Sequence, residues 1–397
     1  MDNVIYHNGT LDGEAFQEIG RLVQFLKARG VTPAIVANHM RTRTSDKTTL
    51  EDFMNDQWGP VEWFVASEGR GGWKPRREAI QYVLDAKGWS SEEVVYIGNT
   101  DNDMKTARSG GVLFLNATWF TQSNTYGLQF GSPKEVGRFV DLFCLREHLW
   151  HFSIVQGPLE YYALSPYSTY KPEYETYSRS AEAALKRGTR HTDFWVKYLS
   201  SSIYFSGIHK RVNYVAPYPG HEAGSGSPII DDALVAFTNC FNISYLRDLI
   251  IRHTTVLKSQ HNRSTASPLR QLNSIHLNKS PLKPNRQSRY KNPPLSSDKT
   301  VLVIDDFCTA GFSLEAARAY IERTEAKVIC VSFLKTINTD YRKFNLRESL
   351  KPYHLNELEP QAVPSSAYSY QRHIIDVQAP QELTEHLLRY DRWDWPV

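Results

Sequence analysis

The amino-acid sequence predicts an α/β protein in which two doubly wound parallel-sheet domains follow one another. Three observations carry this. Over residues 1–145, short apolar runs alternate with stretches whose apolar residues recur at helical spacing. Strands alternating with helices form parallel sheets covered on both faces. The alternation stops in a Tyr- and Pro-rich stretch and returns from residue 212. At 397 residues the chain is also too long for one ordinary domain. Its 41% hydrophobic share supports real cores, and 12% aromatic residues exclude disorder as the whole account.

In the first region, Val4-Ile5-Tyr6 reads as a strand ending in the turn-like His7-Asn8-Gly9-Thr10. Phe16, Ile19, Leu22, Val23 and Leu26 then mark a helix that Gly30 stops. Ala34-Ile35-Val36-Ala37, Val94-Val95-Tyr96-Ile97 and Val112-Leu113-Phe114-Leu115 read as further strands. A helix through Ile80, Val83 and Leu84 ends at Gly88. Ligand crevices of such sheets lie beyond the carboxyl ends of the strands. His7-Asn8, Asn38-His39 and Asn99-Thr100-Asp101 all follow strands and are expected on one rim.

Residues 146–205 carry Tyr161, Tyr162, Tyr167, Tyr170, Tyr174 and Tyr177, broken up by Pro158, Pro166 and Pro172. They read as a connector with a helical piece ending near Trp195 and Leu199; the alternative is an aromatic hood for a planar ligand. The second domain is expected over 206–350. Residues 212–216 read as a strand, Pro217-Tyr218-Pro219-Gly220-His221 as a loop, 233–249 as a helix, and 301–304 and 327–331 as strands. His373-Ile374-Ile375-Asp376-Val377 reads as a late strand in an extension, 351–397, that ends in Trp393-Asp394-Trp395. Residues 252–297 hold Arg252, Lys258, Arg263, Arg270, Lys279, Lys283, Arg286, Arg289 and Lys291, and no Asp or Glu. Without periodicity, this stretch reads as a long basic loop, either a solvated linker or a mobile cover for a polyanion.

The most specific signal is Val301-Leu302-Val303-Ile304-Asp305-Asp306-Phe307-Cys308-Thr309-Ala310-Gly311-Phe312-Ser313. An apolar strand ends in paired carboxylates, and a small-residue loop then opens a helix. The helix start offers unpaired N–H groups and partial positive charge. Thr309 and Ser313 add hydroxyls, and Gly311 lets backbone approach an oxyanion, so Thr309 to Ser313 make a phosphate cradle. Two acids beside it are wrong for phosphate alone but right for a ligand with vicinal hydroxyls next to its phosphate.

This stretch resembles the phosphoribosyl pyrophosphate signature of type I phosphoribosyltransferases. The order Ala216-Pro217-Tyr218-Pro219, Arg252-His253-Thr254 with Lys258-Ser259-Gln260, and Arg270-Gln271-Leu272-Asn273 resembles ComF-type members, across about 210–335. The resemblance implies that Asp305 and Asp306 orient the ribose and touch Mg²⁺ through water. It implies that Thr309, Ala310, Gly311, Phe312 and Ser313 hold the 5-phosphate. Pyrophosphate would lie on Tyr218, Pro219, Gly220 and His221, with Lys258, Arg263 and Arg270 on the leaving group. Phosphoribosyl pyrophosphate and a base-like acceptor are the implied partners, and pairing of two copies is common in such domains.

The first domain resembles the haloacid dehalogenase-like phosphatases across about 1–145, through Tyr6-His7-Asn8-Gly9-Thr10-Leu11, Ala37-Asn38, Lys74-Pro75 and Gly98-Asn99-Thr100-Asp101-Asn102-Asp103. The family's nucleophilic and acid/base aspartates are replaced by Tyr6 and Asn8, and a metal-ligand aspartate by Asn99. A phenol with a pKa of about 10 is not ionised at neutral pH, and Asn8 cannot transfer a proton. Lys74, Thr10 and Asp103 remain. Phosphatase activity is therefore not expected. A structural domain, a phosphate- or nucleotide-binding remnant using Lys74 and Thr10, and a surface for a protein partner stay open.

Other chemistries find no support. Four scattered cysteines without a Cys-x-x-Cys pair argue for a reducing compartment. No apolar stretch of ~18 residues and no signal-peptide pattern is present, so a cytoplasmic protein without a membrane span is expected. A net charge of +3 does not by itself imply nucleic acid. Three functions follow: ribosyl-phosphate transfer to or from a base-like nitrogen; a non-catalytic phosphoribosyl-ligand sensor in bacterial stress response or phage defence; and, more weakly, nucleic-acid contact through the basic loop.

Overall fold

The computed structural model describes residues 3–43, 46–121, 126–222, 228–256, 268–284, 287–347, 349–359 and 363–396. It is an α/β protein with parallel sheets. A short hairpin, β1 (Tyr6–His7) and β2 (Thr10–Leu11), leads into α1 (Gly13–Ala28). Asp12 caps that helix by accepting from the Ala15 N–H, and Phe16, Ile19, Leu22, Val23 and Leu26 form its buried stripe. β3 (Ala34–Ala37), α2 (Leu50–Trp58) and β4 (Glu62–Val65) make one parallel unit. α3 (Arg77–Lys87) stops at Gly88 in the left-handed region. β5 (Val95–Gly98), α4 (Asp101–Ser109), β6 (Leu113–Ala117) and β7 (Leu128–Phe130) make a second parallel unit, and α5 (Pro133–Phe139) follows it.

The expected strand at Val4-Ile5-Tyr6 is reduced to Tyr6 and His7. The Asn3 N–H donates to the Tyr6 carbonyl at 2.8 Å, which closes a turn. β3 and β5 belong to separate sheets. Between them lies a cleft of about 490 Å³, walled by consecutive residues of both strands, Ala34, Ile35, Val36 and Val95, Tyr96, Ile97. All four apolar residues of β3 are accordingly only half-buried.

Residues 146–205 are not a connector. They supply β8 (Phe152–Gln156), β9 (Leu159–Tyr167), α6 (Pro172–Arg187) and α7 (Thr192–Phe205). Tyrosine is a strand former, Pro158 sits in the turn between β8 and β9, and Pro172 opens α6 where no N–H partner is needed. β10 (Tyr214–Pro217), α8 (Pro228–Asn239) and β11 (Ser244–Tyr245) follow. The expected helix over 233–249 thus ends at Asn239, because β11 pairs with β10 at the sheet edge.

The described part of the basic stretch contains regular structure. β12 (Ile250–Arg252) pairs antiparallel with β13 (Ile275–Leu277), and α9 (Pro268–Leu272) lies between them. β14 (Thr300–Cys308), α10 (Phe312–Glu322) and β15 (Lys327–Thr336) come next, then the hairpin β16 (Tyr341–Phe344) with β17 (Ser365–Tyr368), and α11 (Ala379–Tyr390). The late strand expected at 373–377 is absent. Ile374 makes a single bridge to Phe152, while Ile375 and Val377 face solvent with no core to bury them.

The large sheet runs β11-β10-β14-β15-β9-β8, parallel except for the β8–β9 hairpin. One of its faces shares a continuous core with the N-terminal region, from Val4 and Phe143 through Tyr204 to Leu302 and Ile304. The other face, with Val301 and Val303, packs under α10, whose Tyr320 lies in the same core. The hydrophobic core therefore does not divide near residue 145. Among the described residues no helix is long and apolar enough to cross a membrane.

Candidate functional site

β14 is buried on both faces, as an interior parallel strand must be. Its pairing with β10 ends where Ile304 meets Pro217, which brings no N–H to the ladder. The Tyr218 N–H then donates back to the Ile304 carbonyl at 2.8 Å. Asp305 and Asp306 thus lose β10 as a neighbour, beside the loop Tyr218–His221, while β14 stays paired with β15 as far as Cys308.

Both acids are half-buried. Asp305 accepts from the Asp306 N–H at 2.9 Å, and Asp306 from the Phe307 N–H at 2.7 Å; neither makes an ion pair among the described residues. Burial pushes the Asp305 carboxyl well above the usual carboxylate range, the Asp306 charge adds to this, and Arg252 opposes it.

The loop after β14 turns into α10 at Gly311, whose φ is +82°. A Cβ there would also fall 2.3 Å from the Tyr341 ring, so this turn admits only glycine. No side chain caps α10. The Thr309 carbonyl accepts from Lys335 Nζ at 2.6 Å, the Ala310 carbonyl from the Arg342 N–H at 2.9 Å, and the Gly311 carbonyl from the Glu315 N–H at 2.8 Å. In a trans peptide the N–H points opposite to its carbonyl. The amides of Ala310, Gly311 and Phe312 are thereby turned away from these partners, and they have no acceptor of their own among the described residues. Successive outward N–H groups at a helix start form an anion nest. The Thr309 hydroxyl lies 3.1 Å from that of Thr336, and the Ser313 hydroxyl faces the Tyr218 phenol. Phe312 contributes its amide; its ring packs 5.8 Å from that of Phe344.

Arg252 organises the neighbouring loop. It is buried, donates from Nε to the Gly220 carbonyl (2.5 Å), from Nη1 to the Ser274 hydroxyl (2.6 Å), and from Nη2 to the Tyr218 hydroxyl and Gln271 Oε1 (3.1 Å each). Burial lifts the Tyr218 phenol to about 12, against the pull of Arg252. Tyr218 and Pro219 are buried, so this loop offers its backbone at Gly220 and His221 rather than those side chains. Arg270 is exposed on α9, and it is the next residue, Gln271, that reaches Tyr218. Lys258 and Arg263 lie outside the described residues. Asn273 exchanges two hydrogen bonds with the Leu358 backbone and so anchors the C-terminal extension.

Sequence reasoning missed the roles of Gln271 and Lys335, and it placed Arg252 in a basic run and in the ComF-like order without assigning it a role. The apolar pair Ile250-Ile251 ahead of Arg252 was the available signal, because it marks a strand end rather than a solvated loop.

The N-terminal rim is arranged differently. Lys74 Nζ meets Asp103 Oδ1 at 2.8 Å, and both are largely buried. Tyr96 and Thr100 also donate to Asp103. Burial pushes the Asp103 carboxyl up, but Lys74 and Thr100 pull it down further, to about 2. Asn38 brackets Lys74, accepting from its N–H (2.7 Å) and donating to its carbonyl (3.1 Å). Asn99 is buried and donates to the Ala117 and Thr121 carbonyls. Tyr6 lies under the Arg41 guanidinium at 4.4 Å, while Asn8 and Thr10 are exposed. Residues 4–117 match the haloacid dehalogenase-like hydrolase family. No curated protein and no solved structure matches the chain. Within the haloacid dehalogenase-like segment, Lys74 is already engaged by Asp103, so it is not joined to Thr10 in an open anion site. Among the described residues no cluster of three or more His, Cys, Asp or Glu is placed to hold a metal.

Proposed function

We propose that the sheet carrying Asp305 and Asp306 binds a phosphoribosyl ligand, phosphoribosyl pyrophosphate, and passes its ribosyl phosphate to or from a nitrogen of a base-like acceptor. One observation carries this reading: among the described residues, two carboxylates without a cation partner stand ahead of three successive amides without an acceptor, with three residues between. Acceptor groups for sugar hydroxyls and donor groups for a phosphate therefore share one strand end. The likeness of this stretch to the type I phosphoribosyltransferase signature supports the same ligand, and the position of the Tyr218–His221 loop supports a pyrophosphate end beside it.

In this reading the nest from Ala310 to Phe312 holds the 5-phosphate, and Asp305 and Asp306 accept from the ribose hydroxyls. Gly220 and His221, set by Arg252, present backbone to the leaving group. Mg²⁺ fits only together with phosphate oxygens and water, since two carboxylates are a small share of its six ligands; it would supply charge for the departing pyrophosphate. Positioning and electrostatics do the rest. The haloacid dehalogenase-like segment is read as non-hydrolytic, because the nucleophile and acid/base positions hold Tyr6 and Asn8. Isothermal titration of phosphoribosyl pyrophosphate with Mg²⁺ tests the reading: wild type binds, and Asp305→Asn/Asp306→Asn does not. Absence of binding by wild type would end it. Release of pyrophosphate across a panel of bases separates transfer from sensing.

A further inference from the structure

Beneath the nest lies a lysine that the reading above does not use. Lys335 has no solvent exposure. Its ammonium donates to the carbonyls of Thr309 (2.6 Å), Thr336 (3.4 Å) and Thr339, and it lies 5.7 Å from the Phe152 ring and 5.5 Å from the Tyr370 ring. No carboxylate is within ion-pair distance among the described residues. Asp340, which acts on it from farther off, accepts from the Tyr370 N–H. Three carbonyls satisfy the three ammonium protons but cancel no charge. A buried cation without a counter-charge is expensive, and folded chains rarely keep one. Burial accordingly pulls its pKa below the usual lysine value.

The missing counter-charge has an evident place. The carbonyl that Lys335 holds belongs to Thr309, and the amide on the other side of that peptide is the first of the nest. Fixing the carbonyl inward fixes the Ala310 N–H outward. We propose that Lys335 is the positioning residue of the cradle, and that its uncompensated charge favours a dianionic phosphate monoester over a neutral sugar. This rests on the phosphate-cradle reading of the same loop.

The test uses the full chain with ribose 5-phosphate as probe and ribose as the uncharged control, measured by calorimetry alongside melting temperature. Lys335→Met is expected to lose affinity for ribose 5-phosphate by on the order of tenfold. Melting temperature shows whether each variant is folded at the titration temperature, since removing the buried charge and leaving three carbonyls without their donor act in opposite directions. Lys335→Arg should keep affinity within about threefold. The Ala310 amide resonance should shift with ribose 5-phosphate in wild type and much less in Lys335→Met. Equal affinity in wild type and Lys335→Met overturns the role of Lys335 while leaving the cradle intact. Should Lys335→Met not fold, Lys335→Gln decides: wild-type affinity in that neutral variant overturns the charge role. Wild type that takes up no ribose 5-phosphate overturns the cradle itself, and this proposal with it.

Discussion

The two rims of this protein place similar parts in opposite states. Each has an acid near the end of a parallel strand, a helix start close by and a buried lysine. At the N-terminal rim, Lys74 and Asp103 neutralise each other at 2.8 Å, and Thr100 and Tyr96 fill the remaining valences. At the β14 rim, Asp305, Asp306 and Lys335 are within a few residues of one another in the fold, yet none has an ionic partner among the described residues. The first arrangement is complete as it stands. The second leaves donors, acceptors and charge unspent, and that is where a ligand gains most from binding. A surviving motif is therefore a weaker guide than the state of its hydrogen bonds.

The largest expected effect breaks the closed rim. Lys74→Met leaves the Asp103 carboxylate buried and unpaired, which should cost about 3–5 kcal/mol in urea unfolding. Adding Asp103→Asn should restore much of that, and a double-mutant cycle measures the coupling. The same substitutions should leave phosphoribosyl pyrophosphate binding unchanged. Next is the open rim: Asp305→Asn/Asp306→Asn should weaken the ligand by on the order of a hundredfold, as two carboxyl contacts to the ribose hydroxyls are lost, with little change in stability.

The pH response sharpens the contrast further. Asp103 is lowered from 3.8 to about 2 in the folded chain. Its contribution, about 2 kcal/mol, is present above the unfolded value and is lost as pH falls through the folded one. Acid unfolding should therefore steepen below pH 4 in wild type, and Asp103→Asn should lack that limb. Asp305 has the opposite sign. Its folded value lies above the unfolded one, so the native state holds a proton that the unfolded chain has released. Stability should fall as pH rises between those two values, and Asp305→Asn should flatten that decline. This is the smallest effect, read as melting temperature against pH.

Much of this was legible in the residues. The run Val301-Leu302-Val303-Ile304 followed by two acids, a glycine and a helix has one sensible structure, because each local feature agrees with the next. The tyrosines of 152–167 were harder. Their period-two burial is interrupted by Pro158 and Pro166, and a strand paired through β15 to residues far along the chain leaves no local signature. The buried cations were illegible for a similar reason. Arg252 and Lys335 are charged residues at strand ends, and only tertiary contacts show that their charges lie inside.

The cleft between β3 and β5 has a dynamic consequence. Half of the backbone groups along each facing edge have no ladder partner, whereas β14 is zipped to β10 on one side and β15 on the other. Hydrogen exchange should divide the chain accordingly. Amides of Ile35 and Val36 should trade deuterium through frequent local opening, and those of Leu302 and Val303 only when the whole molecule unfolds.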